Sequence, residues 1–540
     1  MEVKDGRAHL AALDTDRQVY LDGELIKRVA EHPAFAQSCR AIAGLYDFQA
    51  SHQELMTFDI GDGRRANRAW HMPRSYEDLV AKRVAMTAWA ELHAGYMGRS
   101  PDHLACAVSG QLMNLELFEE HNPRCAKAYW DYYEWARAND IFLTYVIINP
   151  QGDRSRAWGD QPKQITTHIV DEGPDGPTVR GAKMLGTSSI MAEEILVANI
   201  QPLQEGEDHL AISFAVPLDT PGVKVVSRKS FEQHAVSPFD NPLSHRFDEN
   251  DAIIYFDDVT VPWERVFVYR NVDMCRRQFH ETPGHVYQNY QAQVRLVVKL
   301  RFLLAVARRL TETIGTSGMP AIQAKLGELA ARVAAVEGLM FGMEASGQQF
   351  GEYLMPNRHL LYSAQVTTQA LYPQLITEIR ELAGGGLIML PSSSADLSSP
   401  EVAAVLDDTL VSARDGEGAY ERMKFLKLAW DAIGSEFASR HTQYEMFYAG
   451  AQFVTQGHSF RTYDWEGADR LVSSMLAGID ADWSGARQVA EGQVGVLREN
   501  AGPDSAGGEG AGRHGAGAEG GSQHRAGRED VGQGNADRET

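Results

Sequence analysis

At 540 residues the chain can bury a large core and should divide into two or three domains. Its 51 Lys and Arg stand against 73 Asp and Glu, a net charge of −22, which argues against nucleic acid or an anionic membrane surface as a partner. No run of about eighteen apolar residues exists. The best candidate, 296–307, is interrupted by Lys299 and Arg301, so no membrane span is expected. The opening Met1-Glu2-Val3-Lys4-Asp5 lacks the apolar core of a signal peptide. Cys39, Cys106, Cys125 and Cys275 are scattered, with no C-x-x-C and no zinc spacing. They read as reduced packing residues of a cytoplasmic protein, His441 reads as a surface or core histidine, and no metal is expected.

Residues 10–145 read as mostly helical. Ser75 is a plausible N-cap for a helix running to His93, whose apolar stripe is Leu79, Val80, Val84, Met86, Trp89 and Leu92. Next comes Gly95-Tyr96-Met97-Gly98-Arg99-Ser100-Pro101-Asp102-His103. Ser100 suits an N-cap, Pro101 the first helical position and Asp102 the positive end of the dipole. Arg99 and His103 then point past a helix start that favours an anion. The alternative is a capped surface helix with solvated charges.

The run 142–148 is apolar and β-branched, ends at Asn149-Pro150 and reads as a buried strand carrying Tyr145. Further strand-like runs follow at 178–184, 211–216, 223–226 and 252–256, which makes the middle third a β domain. From about Cys275 helical periodicity returns, with long helices at 294–313 and 322–341, a break at Gly384-Gly385-Gly386 and a resumption at 422–437. After about Arg498 the chain is Gly, Ala, Ser, Glu and Arg with almost no apolar anchor, so 498–540 is expected to be a disordered tail. There is no G-x-G-x-x-G after a strand and hence no Rossmann domain.

The block Arg99-Ser100-Pro101-Asp102 has company in His32-Pro33-Ala34-Phe35, Leu45-Tyr46-Asp47 and Ile148-Asn149-Pro150 with Asp153-Arg154. It has more in Arg246-Phe247-Asp248-Glu249-Asn250-Asp251-Ala252, Val261-Pro262-Trp263-Glu264, Leu390-Pro391-Ser392-Ser393 and the run 426–437. Together, in order, these resemble the oxygenase component of the 4-hydroxyphenylacetate 3-monooxygenase family, two-component phenol hydroxylases that depend on reduced FAD. The resemblance implies an α+β, mainly α, acyl-CoA dehydrogenase-like fold. Its parts would be an N-terminal helical domain (1–145), a middle β domain (146–274) and a C-terminal helical bundle (275–497) that makes homotetramer contacts.

The same resemblance implies that FADH2, supplied by a separate NAD(P)H:flavin reductase, and O2 hydroxylate a phenol ortho to its hydroxyl. Arg99, His103 and Tyr145 would act on the phenol oxygen. A cation about 4 Å from a phenolate is worth roughly 4 kcal/mol at an effective dielectric near 20, and imidazole titrates near neutrality. Relative to the usual family pattern, His103 and Tyr145 exchange residue types, which leaves open which of them accepts the proton. For the flavin the resemblance points to Gln151, Gly152, Asp153, Arg154 and Thr187, and to the loop of Tyr448, Gly450, Ala451 and Gln452. Gly186 and Gly450 would allow close backbone approach.

From Met184 to Val223 there is no Lys or Arg. That favours a neutral phenol, or an acid masked as a thioester on a carrier protein. Two other readings stand beside the hydroxylase. One is a dehydratase of hydroxyacyl thioesters on the same scaffold, which would need clustered cysteines for an iron–sulfur cluster. The other is an inactive homologue.

Overall fold

The computed structural model describes residues 3–479, so the expected tail at 498–540 and the last part of the expected bundle lie outside the described residues. Residues up to Tyr463 form one compact unit and a second begins at Asp464. In that second unit a helix, Trp465–Leu476, starts where Asp464 accepts from Gly467 N at 2.9 Å.

The helix expected after Ser75 is Tyr76–Leu92, and Ser75 and Asp78 close a reciprocal capping box at its start. The buried face differs from the expected stripe. Leu79, Met86 and Trp89 are buried, but Val84 and Leu92 are exposed, and Lys82 takes a place on the inner face. The reason is polar: Lys82 Nζ donates to Ala69 O at 2.5 Å and His71 O at 2.8 Å, two carbonyls that have no strand or helix partner there.

The N-terminal stretch is less uniformly helical than its composition implied. β1 (Gln18–Leu21) and β2 (Glu24–Ile26) form a hairpin across Asp22-Gly23, whose φ values of 51° and 84° are those of a two-residue primed turn. β3 (Thr57–Gly61) and β4 (Arg64–Asn67) form another around Asp62-Gly63. β1 runs parallel to a strand of the middle region, so the two regions share one sheet.

The middle region supplies β5 (Leu143–Val146), β6 (His168–Glu172), β7 (Pro177–Lys183), β8 (Glu194–Val197), β9 (Ile212–Pro217), β10 (Val223–Ser227), β11 (Ala252–Thr260) and β12 (Val266–Tyr269). One sheet has the order β2-β1-β10-β11-β7-β6 and the second β12-β9-β8-β5. β5 pairs parallel with β8, and every residue of both is buried, as parallel strands covered on two faces require. Four strands, β5, β7, β9 and β10, follow the expected runs closely, and β11 extends past its run to Thr260.

The C-terminal part is built on the helices Gly284–Ile314, Pro320–Ala345, Arg358–Ala383, Ala419–Ile433 and Glu436–Phe447. Helix Pro101–Leu112 is buried at every position and packs against the start of Gly284–Ile314. Their backbones touch where two glycines face each other: a Cβ on Gly110 would stand 2.8 Å from Gly284 Cα. Arg295 and Lys299, both buried on the long helix, converge on Glu445, with Lys299 Nζ 3.0 Å from its Oε1. Their pull holds the Glu445 carboxyl at about 2 against the opposite push of burial. His441 is a core histidine, edge-on to Phe437 and Tyr96. All four cysteines are buried free thiols. Among the described residues no helix is long and apolar enough to cross a membrane.

Candidate active site

Arg99 stands just before Pro101–Leu112, and its position is set from the backbone outwards. Gly98 N and Arg99 N both donate to Glu249 Oε2, at 2.7 and 2.9 Å. The anion favoured by this helix start is therefore one of the protein's own carboxylates. Glu249 in turn accepts from Arg440 at 2.5 Å, and Arg440 grips Asp251 through Nε and Nη2 at 3.0 and 2.6 Å. Arg228 bridges Asp251 and Asp248. Burial works against the charge of Asp251, but Arg440 and Arg228 hold its carboxyl far below the usual range. The stretch 248–251 is thus the anchor of the arginine turn. A Cβ on Gly98 would stand 2.7 Å from Tyr444 Cζ, so any side chain here would displace that ring.

Ser100 does not cap the helix with its side chain, as the spacing suggested. Its hydroxyl donates instead to Asp102 Oδ1 at 2.5 Å, and Gln291 donates to the same oxygen at 3.1 Å. Burial pushes the Asp102 carboxyl up to about 6. The reading of solvated surface charges fails as well, since His103 and Asp102 are buried.

The expected trio comes together. Arg99 Nη1 lies 3.0 Å from His103 Nε2 and 3.3 Å from the Tyr444 hydroxyl. The guanidinium carbon sits 4.8 Å from the Tyr145 ring centre and 4.7 Å from that of Tyr448. His103 stacks on Tyr145 with centroids 5.5 Å apart. Burial first, and then the charges of Arg99 and Arg295, drive the His103 pKa well below its ordinary value. A guanidinium can only donate, so Nε2 is the bare acceptor nitrogen and Nδ1 carries the hydrogen. The Tyr448 hydroxyl lies 3.0 Å from the same Nε2 and 3.3 Å from Gln288 O. Tyr145 is held the other way. Its oxygen accepts from Gln288 Nε2 at 2.8 Å, which leaves its own hydrogen to donate. Burial raises the Tyr145 pKa, with Arg99 and Gln288 opposing.

Tyr145, Gln288 and Tyr448 of this cluster line a cavity of about 930 Å³, bounded also by Ile147 and Ile148, by Ile200 to Pro202 and by Ala449 to Ala451, while Arg99 and His103 are not part of its wall. Its size lies at the upper end of the ~300–1,000 Å³ usual for ligand and cofactor sites. Of the nine residues put forward for the flavin, Tyr448, Gly450 and Ala451 line this wall. Gln452 is the first residue of the next helix, Gln452–Thr462. Gln151, Asp153 and Arg154 are exposed on the loop after Asn149, Gly152 is half-buried, and none of the four lines the cavity. Thr187 is buried in a loop where Leu185 and Ser188 hold left-handed backbone (φ 62° and 63°). Its hydroxyl donates to Asp251 Oδ1 at 2.7 Å, so its single hydrogen is committed to the anchor network.

Sequence reasoning missed Glu249 as the anchor, Arg440, Tyr444 and Gln288. It also misjudged the charge of the cavity. The 184–223 segment indeed contributes an uncharged wall, but Arg276, Arg358 and Arg461 line the other sides.

Profiles of two parts of one family match the chain: "4-hydroxyphenylacetate 3-hydroxylase N terminal" over residues 5–268 and its C-terminal counterpart over 275–477. The chain is 34% identical to the 4-hydroxyphenylacetate 3-monooxygenase oxygenase component of Geobacillus sp. (strain PA-9), covering 88% of this chain and 97% of that protein. It is 32% identical to a Streptomyces globisporus monooxygenase named for a chloro-hydroxyphenyl propanoyl substrate on a peptidyl carrier protein, over 82% of this chain and 84% of that one. The solved structure of HpaB with FAD and 4-hydroxyphenylacetate superposes at a TM-score of 0.83 and 30% identity, over 88% of this chain and 98% of that chain. An archaeal 4-hydroxybutyryl-CoA dehydratase from N. maritimus superposes at 0.80 with 22% identity, over 89% of this chain and 96% of that chain, which shows a shared fold alone. The fold is α+β, mainly α, and acyl-CoA dehydrogenase-like, and the chain belongs to the 4-hydroxyphenylacetate 3-hydroxylase family.

Proposed function

We propose that this chain is the oxygenase component of a two-component monooxygenase that uses FADH2 and O2 to hydroxylate a phenol ortho to its hydroxyl. The observation that carries this reading is the convergence of Arg99, His103 and Tyr145, with Tyr145 and the neighbouring Tyr448 forming part of the wall of a cavity large enough for a flavin and a ring. The reduced flavin, when bound, supplies the activated oxygen. The chain's own residues do the rest. His103 Nε2, unprotonated and in contact with Arg99 and with the Tyr448 hydroxyl that lines the cavity, accepts the phenol proton. Arg99 stabilises the resulting phenolate. The Tyr145 hydroxyl, fixed by Gln288, donates to the same oxygen and turns the ring. The apolar walls, Ile147, Ile148 and Ile200, exclude water from the reacting atoms.

The flavin fits the cavity: Gly450 holds φ 92° and keeps the wall free of a side chain. The buried Gln201 Oε1 beside it has no partner and needs a donor. Tyr448, Gly450 and Ala451 are the wall residues proposed to hold the flavin; Gln452, Thr187, Gln151, Gly152, Asp153 and Arg154, which the family resemblance implies as further flavin contacts, do not line this cavity. The partner reductase, the homotetramer, the cytoplasmic location and a substrate either free or carrier-bound belong to the same proposal. The competing dehydratase chemistry needs clustered thiolates. Among the described residues no His, Cys, Asp or Glu group is placed to hold a metal.

The deciding experiment mixes purified protein with FAD, a flavin reductase, NADH and a panel of phenols. A product heavier by one oxygen, ortho to the hydroxyl, is expected. Peroxide as the sole product with every phenol, and with carrier-bound phenols, would overturn the reading.

A further inference from the structure

The cavity has a second polar end that the hydroxylation chemistry does not use. Its wall contains three arginines, Arg276, Arg358 and Arg461, and three histidines, His280, His285 and His458, and not one Asp or Glu. Arg276 is compensated by Asp273 and Glu281 at 3.3 and 3.2 Å. The other two cations have no carboxylate within ion-pair reach among the described residues. The guanidinium of Arg358 has no hydrogen-bond partner there either, and its Nε is buried. Arg461 donates through Nη2 to His458 Nδ1 at 2.9 Å, which leaves its remaining hydrogens free of side-chain partners among those residues.

The three imidazoles pack against one another at tilted angles, with centroids 5.1, 5.4 and 5.5 Å apart. Tyr362 stacks on His458 at 4.9 Å, and its hydroxyl lies 3.1 Å from His285 Nδ1. Burial, reinforced by the surrounding arginines and by one another, pushes His280 down to about 4 and His285 well below its ordinary value. Burial and then Arg461 push His458 to about 4. The imidazoles are neutral while the arginines beside them stay charged. The lobe is therefore a concentration of donors and positive charge with nothing negative to meet it. Arg461 is exposed at the mouth of the lobe, whereas Arg358 is half-buried with its buried Nε unmet, and that is costly to leave.

We propose that this lobe is a binding subsite for an oxyanion, a carboxylate or a phosphate, with Arg358 and Arg461 as its charge donors. Guanidinium pairs suit such groups through forked, two-point hydrogen bonding. The lobe shares one cavity with Tyr145, so the oxyanion belongs to the molecule whose other end reaches the inner site. Two molecules of the proposed reaction qualify: an acidic phenol, through its tail, and the flavin dinucleotide, through its phosphates. Assigning the source rests on the hydroxylase reading; the subsite itself does not.

The test titrates the full-length protein calorimetrically with inorganic pyrophosphate. Wild type should bind, and Arg358→Gln/Arg461→Gln should bind at least tenfold more weakly. Arg358→Lys/Arg461→Lys, which keeps the charge and guards against a folding defect, should retain most of the affinity. Equal affinity in wild type and the glutamine variant, or no binding by wild type, overturns the subsite whether or not the enzyme hydroxylates anything.

Two further arms identify the source. A loss of FAD affinity in the glutamine variant, with riboflavin affinity intact, assigns the dinucleotide phosphates. A collapse of the KM ratio between 4-ethylphenol and 4-hydroxyphenylacetate assigns the substrate tail. No change in either arm overturns the proposal that the oxyanion is carried by a cavity ligand.

Discussion

Arg99, behind the Tyr145 and Tyr448 wall of the cavity, and Arg358, in its arginine-lined lobe, both lack a carboxylate ion pair among the described residues, yet they are held quite differently. Arg99 hydrogen-bonds His103 and Tyr444, lies against the rings of Tyr145, Tyr444 and Tyr448, and has its backbone nitrogen fastened to Glu249. Arg358 makes no side-chain hydrogen bond among the described residues. A group that must stabilise charge developing during a reaction is worth most when it is oriented beforehand. A group that only anchors a ligand can find its geometry when the ligand arrives. The difference separates a part built for chemistry from a part built for binding, and each prediction below presses on it.

The largest effect is expected at Arg99. Arg99→Ala removes roughly 4 kcal/mol of phenolate stabilisation. Catechol formation should fall by about three orders of magnitude while flavin oxidation continues and its oxygen appears as peroxide. Parallel measurement of product and peroxide per NADH checks this. Loss of both together would mean that Arg99 serves the flavin.

The exchanged pair comes next. His103→Ala and Tyr145→Phe should each cut coupled hydroxylation by about 10²–10⁴-fold. The double exchange His103→Tyr/Tyr145→His should recover more than the two single exchanges predict by addition, because their rings stack and share the Arg99 face. Strict additivity in product yield would show that the two do not act on one oxygen.

Arg99, His103 and Tyr145 were legible because each is marked locally: a Ser-Pro-Asp helix start, an i to i+4 spacing, and an apolar strand ended by Asn-Pro. Their supports were not. Glu249 lies 150 residues from Arg99 and Tyr444 lies 345 residues away, so only the folded chain joins them. The motif 248–251 was visible as a resemblance without a role. Ser100 misled because its hydroxyl turns to donate to the Asp102 carboxylate instead of accepting from the first N–H groups of the helix. The β1–β2 and β3–β4 hairpins did carry a signal in Asp22-Gly23 and Asp62-Gly63, and the helical texture around them masked it. Charge in the cavity was judged from a single contiguous segment, whereas its arginines arrive from three separate helices.

Stability separates the two ends in a third way. Glu249→Gln leaves Arg440 facing a neutral amide and weakens the hold on the Arg99 turn. Arg440 keeps both hydrogen bonds to Asp251, so the loss is that of one charged hydrogen bond, about 1.5–3 kcal/mol, and the unfolding midpoint should drop measurably. Arg358→Gln should move stability by no more than about 0.5 kcal/mol, since it breaks no partner. Denaturant titration of the two variants side by side reads this directly. A large loss at Arg358 would show that the outer lobe is structural.

The smallest effect concerns what holds two walls of the cavity together. Lys183, fully buried on β7, donates to Asn149 Oδ1 at 2.5 Å and to Asn199 Oδ1. Asn149 follows Ile148 and Asn199 precedes Ile200, so one ammonium ties two walls of the cavity together. Burial pulls its pKa down to about 7, and the one titratable neighbour that would oppose this, the Cys275 thiol, is itself raised by burial to about 12 and stays neutral. The sign follows from linkage. Between about 7 and the unfolded value of 10.5 the unfolded chain binds the extra proton, so this group makes the fold more stable as pH rises, and contributes no slope below that window. Lys183→Met leaves two asparagine acceptors unmet at every pH, a constant offset, and deletes the slope. The stability difference, wild type minus variant, should therefore grow by about 1 kcal/mol between pH 7 and 8. A difference that stays flat across that interval would show that Lys183 is not held near neutrality, and that the clamp between the walls is already fully charged.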